Sequence, residues 1–228
     1  MLILLAIAVV FRLNVTLPTS KAASGNTYIT DFKIKGMTFF DQWQGAYISN
    51  EANTCINLMP NYGIDWVSII VTWYQDTIDS TSTCFREEEA GDWRSTQTDE
   101  EVASIMNLAH SKGMKVMLKP HVSPRDGNWP GLIGSNVDES DWQAWFASYK
   151  NFINHYAQLA QQNSVELFSS GTELRKTAHR ETEWRQVIAG VRQRYSGPIT
   201  YAANHSGEKC RFNGGMRWTI LGLMLITL

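Results

Sequence analysis

Five short apolar runs, separated by four segments with helical spacing, restrict what this chain can fold into more than any single motif. Phe32–Phe39 alternates and then turns apolar, which predicts a first strand ending around Gly36-Met37-Thr38. Trp66–Trp73 is rich in β-branched residues and lies between polar segments, so it reads as a buried strand. Lys115–His121, Val165–Thr172 and Ile199–Ala203 supply the other three. Between them, Ala52, Cys55, Ile56 and Met59 share one helical face. Thr98-Asp99-Glu100-Glu101 forms a capping box ahead of Val102, Ile105, Met106 and Ala109. From Trp142 to Leu159 apolar residues step by three and four, and a last helical face runs from Trp184 to Tyr195. Strict alternation of strand and helix requires parallel strands with right-handed crossovers.

The loops Gln75–Gln97 and Val122–Glu139 are long, whereas the turns from helix back to strand are short. That asymmetry places functional loops at the carboxyl ends of the strands, in a barrel or a doubly wound sheet alike. No glycine-rich phosphate motif opens a helix, which argues against nucleotide binding. No Gly-x-Ser-x-Gly elbow occurs, which argues against a serine esterase. A net charge of −2 without a basic run gives no support for a nucleic-acid partner. Nine Trp and eight Tyr suit stacking on sugars, although filling a core accounts for most of them. The three cysteines, Cys55, Cys84 and Cys210, make no CxxC pair, so neither a zinc site nor a redox motif is expected. Cys55 and Cys84 could form a disulfide or be two buried thiols.

The most informative chemistry lies at Ser169-Ser170-Gly171-Thr172-Glu173-Leu174, where an apolar run ends on small residues and then presents one carboxylate. In a barrel of alternating strands and helices, reactions take place where strands end. A Glu there points to a sugar-cleaving enzyme, since most glycoside hydrolases need one carboxyl group to protonate the leaving oxygen and a second to attack or to activate water. The bland alternative is a rim Glu paired with Arg175 or Arg180.

Gly36-Met37-Thr38, the run Ile69–Gln75, Lys119-Pro120-His121 and Gly171-Thr172-Glu173-Leu174 together resemble glycoside hydrolase family 113, from Asp31 to about Glu208. The resemblance implies a (β/α)8 barrel of the large retaining clan A, acting on β-mannan, with Glu173 as general acid/base. Thr172 stands where that clan usually has Asn, and it can still donate a hydrogen bond to a sugar hydroxyl. By resemblance and position, Trp43, Trp73, Gln75, His121, Thr172 and Asn204 are the expected substrate contacts. Asn204 also opens a formal Asn-His-Ser sequon. No cofactor or metal is implied, and the expected partner is a polysaccharide or oligosaccharide. The fold expected is α/β, an incomplete (β/α)8 TIM barrel with about five of its eight units. A carbohydrate-binding pseudoenzyme built on the same aromatics is the rival reading.

Both ends carry their own expectations. Leu2–Phe11 is apolar and Ser20-Lys21-Ala22-Ala23-Ser24 offers small residues for cleavage. The run is too short to cross a bilayer, which takes about 20 residues. Residues 1–23 therefore read as a signal peptide, and the protein as secreted, periplasmic or on the cell surface. After Glu208 the composition changes abruptly, and Lys209–Leu228 holds no Asp or Glu that could act as the second carboxyl group. Written in allowed codons and read from the third base, the tail spells a segment containing Trp-Trp-Asp-Ala-Leu-Asp-Tyr-Ile-Gly-Val-Asp-Ala-Tyr, which looks like the family's next helix end and strand. Residues 24–208 are thus expected to be the barrel and 209–228 a frameshifted tail, with Cys210 an accident and the nucleophile missing. On this reading the chain as written is inactive and poorly folded, with an open edge on which some of the tail could dock.

Overall fold

The computed structural model of the protein describes residues 34–87, 89, 92, 94–204 and 224–226. Residues 1–23, expected to be a signal peptide, and most of the tail lie outside the described residues. The strands are β1 (Gly36–Phe39), β2 (Trp66–Gln75), β3 (Lys115–Pro124), β4 (Leu167–Thr172) and β5 (Ile199–Ala202), with α1 (Asn50–Leu58), α2 (Asp99–Ser111), α3 (Glu139–Gln162) and α4 (Glu181–Arg192) between them. All five strands are parallel and sit in the order in which the chain makes them. Parallel strands are what the alternation required, and their sequential order makes this the sheet of a partial (β/α)8 barrel and not a doubly wound sheet. A short strand β6 (Met224–Ile226) runs antiparallel along β5, with Thr200 opposite Leu225. It covers backbone groups of β5 that an edge strand would otherwise present to solvent.

The helices start where their capping residues stand. Thr98 Oγ1 accepts the amide of Glu101, and the Glu101 carboxylate accepts the amide of Thr98. Asp138 and Asp141 repeat the arrangement at the start of α3. The α3 stripe is core: Trp142, Trp145, Phe146, Tyr149, Phe152, Ile153 and Tyr156 are all buried. Trp145 stacks on Tyr149 with ring centres 4.9 Å apart.

Strand alternation divides the sheet into two chemically different faces. Val67, Ile69 and Val71 of β2, Val116, Leu118 and Val122 of β3, and Phe168 of β4 join the apolar cluster beneath the helices. The opposite face carries Ser68, Ile70, Thr72 and Tyr74 from β2, in register with Met117, Lys119, His121 and Ser123 of β3. Pro120 lacks the amide that a central strand needs. Its missing N–H falls on the side facing β4, where pairing has already stopped after Leu118 and Phe168. The two strands therefore part just below the site.

Cys55 and Cys84 are free and exposed, so the disulfide and the two buried thiols are both replaced by two separate surface thiols. Cys55 lies on the solvent side of α1, and Cys84 in the long loop after β2.

Phe152 tests the core directly. It is fully buried and packs against Trp73, Tyr149 and Tyr156 at 5.2 to 5.6 Å between ring centres. Phe152→Ala should lower the free energy of unfolding by roughly 3–5 kcal/mol. Urea denaturation measures it, and a loss below about 1 kcal/mol would mean that α3 is not packed on the sheet as described.

Candidate active site

Glu173 follows directly on β4, and its backbone is unusual. Its φ of 54° lies in the left-handed region, which a residue with a Cβ seldom occupies. The cause is upstream. Ser169 pairs with Thr200 and Thr172 pairs with Ala202, so Ser170 and Gly171 together stand opposite Tyr201. This bulge returns Thr172 to the face away from the helices. Gly171 is required there, because a Cβ would come within 2.8 Å of the Tyr201 ring and 3.0 Å of Trp184. The Tyr201 hydroxyl then accepts the Leu174 amide at 2.9 Å, and the Glu173 amide donates to Ala202 O at 2.9 Å. The turn that presents Glu173 is thus fastened to β5 on both sides of the residue.

The carboxyl group meets the loop after β3. Trp129 Nε1 donates to Glu173 Oε2 at 3.0 Å. The Arg175 guanidinium lies over the Trp129 ring, 5.1 Å from its centre. Arg180 is turned elsewhere, onto Glu139 and Glu183. Lys119 lies close enough for the Glu173 charge to raise its pKa, but burial dominates and holds the ammonium below its ordinary range. His121 is next along the same face, opposite Thr72. Burial, reinforced by the Lys119 charge, pushes its imidazole down to about 3, so it is neutral at neutral pH. His121 Nε2, Thr72 Oγ1 and Thr172 Oγ1 are buried polar atoms with no hydrogen-bond partner in the protein. Such atoms are costly unless a ligand or water meets them. All three lie on the face of the sheet turned away from the helices, and Thr172 directly precedes Glu173. Among the described residues no three His, Cys, Asp or Glu gather as a metal site would require.

The other expected contacts divide by strand face. Trp73 and Gln75 lie on the helix side: Trp73 Nε1 donates to the Tyr156 hydroxyl at 2.9 Å, and Gln75 Oε1 accepts from Trp145 Nε1 at 3.0 Å. Trp43 is 39% exposed in the loop after β1, and Asn204 is half-buried two residues beyond β5.

Sequence reasoning missed two groups, Trp129 and Asp41. Asp41, just after β1, is pushed up to about 6 by burial, against the Gln42 amide that its carboxylate accepts. It is enclosed because the loop after β2 folds back on the loop after β1. Ser95 donates its amide to Gln42 O, Ser95 Oγ accepts the Gln44 amide, and Gln97 Nε2 donates to Asp41 O. Ser95, Thr96 and Gln97 are wholly buried. A run of polar residues carries no signal of burial in the sequence, so this clamp was unreadable there.

The comparison with known families decides what this arrangement belongs to: the description of Glycoside Hydrolase Family 113 matches residues 37–213. The chain belongs to glycoside hydrolase family 113. Among solved family 113 structures, a β-1,4-mannanase is 34% identical, with a TM-score of 0.69 over 76% of this chain and 56% of its own. The β-mannanase AaManA from Alicyclobacillus acidocaldarius, solved in complex with ManMIm, is 33% identical, with a TM-score of 0.67 over 75% of this chain and 54% of its own. The chain therefore spans about half the length of the family 113 structures it matches. No curated protein matches it. No helix among the described residues is long and apolar enough to cross a membrane.

The shift at Asp41 has a signed consequence. Between its ordinary 3.8 and about 6 the folded chain keeps the proton that the unfolded chain has released. Stability therefore falls as pH rises through that window. Asp41→Asn should match the parent in stability below pH 3.8, gain on it through the window, and hold a constant advantage above about 6. Urea titrations at several pH values measure this, and a pH-independent difference would mean that Asp41 is not enclosed.

Proposed function

We propose that this chain is the acid/base portion of an exported, retaining β-mannanase-type glycoside hydrolase, with Glu173 as the proton donor to the leaving oxygen. The observation that carries the reading is Glu173 itself: a carboxyl group held in a left-handed turn at the carboxyl end of β4. Thr172, its neighbour in the chain, and Thr72 and His121 on the same sheet face as Thr172 carry buried polar atoms without partners. A mannan is the substrate class favoured, because the solved relatives at 33–34% identity are described as β-1,4-mannanases and β-mannanases. Thr172 and His121, with Thr72 beside them, are the proposed sugar contacts in the cleft. Trp43 and Asn204 are proposed at its margins. Retention requires a second carboxyl group about 5–5.5 Å from the first, which then forms the glycosyl–enzyme intermediate. That group belongs to residues beyond this sequence, and Lys209–Leu228 is proposed to be read out of frame.

Resequencing the gene through the Glu208 codon and past its stop tests the frame, and an unbroken frame encoding the tail as written would refute the shift. The 228-residue chain should release no reducing sugar from mannan, whereas the frame-restored protein should do so with retention. In that protein Glu173→Gln should slow mannan cleavage by on the order of a hundredfold or more, and cleavage of an activated aryl mannoside far less, because only the poor leaving group needs a proton. Equal activity of variant and parent on mannan would remove Glu173 from this role. Binding of mannan oligosaccharides without any cleavage by the restored protein would favour a carbohydrate-binding pseudoenzyme.

A further inference from the structure

We propose that Trp129 is the positioning residue of Glu173, fixing one carboxyl oxygen so that the other is offered to the ligand. The functional meaning of this assignment rests on Glu173 acting as acid/base, whereas the contact itself does not.

A glutamate side chain turns about three bonds, and at the end of a strand nothing in the backbone selects its direction. Trp129 Nε1 supplies the selection through its 3.0 Å bond to Oε2. The choice of donor is informative. An indole N–H donates but never accepts, carries no charge and holds no exchangeable role in acid–base chemistry. It can therefore orient the carboxyl group in both protonation states, whereas a Lys or Arg in the same place would favour the anion strongly. Of the nearby cations, Lys119 feels the Glu173 charge but forms no ion pair with it among the described residues, and Arg175 is directed elsewhere. Arg175, two residues from Glu173, lies over the Trp129 ring, and no ion pair joins it to Glu173 among the described residues.

Trp129 is itself held in place. A Cβ on Gly131 would lie 2.3 Å from the indole ring, so the ring rests directly against that glycine's backbone. The Trp129 carbonyl accepts the Leu132 amide at 3.0 Å, closing the short turn Pro130–Leu132. Guanidinium and glycine thus fix an indole that belongs to the loop after β3, and the indole fixes a carboxyl group that belongs to the turn after β4. Together they bridge the gap that opens where β3 and β4 stop pairing. This contact is where those two strand ends meet again.

The test needs no turnover and uses the 228-residue chain under conditions where its amide signals are dispersed as in a folded protein, or the frame-restored protein where they are not. The nine indole N–H groups are observed by 15N NMR, and that of Trp129 is assigned by its disappearance in Trp129→Phe. In the parent it should lie apart from the free-indole position and exchange with solvent on the order of tenfold or more slowly than an exposed indole. Glu173→Ala should return it to the free position, leaving the other indole signals in place. Conversely Trp129→Phe, which keeps the ring and its packing, should move the 13C signal of the Glu173 carboxyl carbon. A Trp129 N–H at the free-indole position in the parent, or a Glu173 carboxyl signal unmoved in Trp129→Phe, would overturn the proposal. An intact contact in a frame-restored protein whose Glu173→Gln variant keeps full mannan activity would instead overturn the acid/base reading alone.

Discussion

The ten-residue pairing of β2 with β3 is the contact on which the rest of the molecule depends. It fixes which side chains face the helices and which face the other way, because in paired parallel strands a residue and its partner share a face. Val71, Val122 and their neighbours are committed to the apolar layer under α2 and α3, and Thr72, His121 and Lys119 to the other side. A slip of one residue would carry Lys119 and His121 beneath the helices and turn valines to the opposite face. Such a state is opposed by the lost burial of the valines and by the cost of taking the Lys119 ammonium away from the Glu173 charge into an apolar layer.

The site is built where regular pairing fails. Pro120 withholds an amide just as β3 and β4 separate, and the Ser170-Gly171 bulge breaks the ladder between β4 and β5. Each irregularity opens space or turns a side chain at the end of β4, and each is closed again by side chains: Tyr201 behind the bulge, Trp129 across the gap. The long loop after β2 contributes from further out. Arg86 is buried within it, bonded to Asp92, Glu89 and Arg94 O, and its guanidinium lies 5.8 Å from the centre of the Tyr74 ring. A buried guanidinium with both terminal nitrogens bonded in this way ties a long polar segment to the sheet without an apolar core of its own.

Much of this was legible in the sequence because it follows from periodicity. The second to fifth strands lie where the apolar runs placed them, within three residues at each end; β1 starts four residues later than the run from Phe32 suggested, and the α3 stripe from Trp142 to Leu159 is core. Glu173 was legible because a strand that ends on small residues leaves a following carboxylate no interior to enter. What the sequence could not disclose was facing near the ends of strands. Trp73 and Gln75 stand beside Thr72 and Tyr74 in the chain, and only the parity of the ladder sends the first pair to the helices. Trp129 was hidden by its setting among Pro, Gly and Asn, which announces a loop but not what the loop touches. Asp41 and Ser95–Gln97 were hidden because polar residues buried against each other look like polar residues in water.

The left-handed backbone of Glu173 carries one more implication, for variation at this position. A residue with a Cβ at φ 54° costs roughly 1–2 kcal/mol relative to glycine, and asparagine tolerates the conformation better than glutamate. Drift guided by folding alone would thus run from glutamate toward glycine or asparagine, shedding the carboxyl group while tightening the fold. With Glu173 as the proton donor proposed above, glutamate there would set the chemistry of the site against the comfort of the backbone, a conflict of the kind found where proteins trade stability for activity.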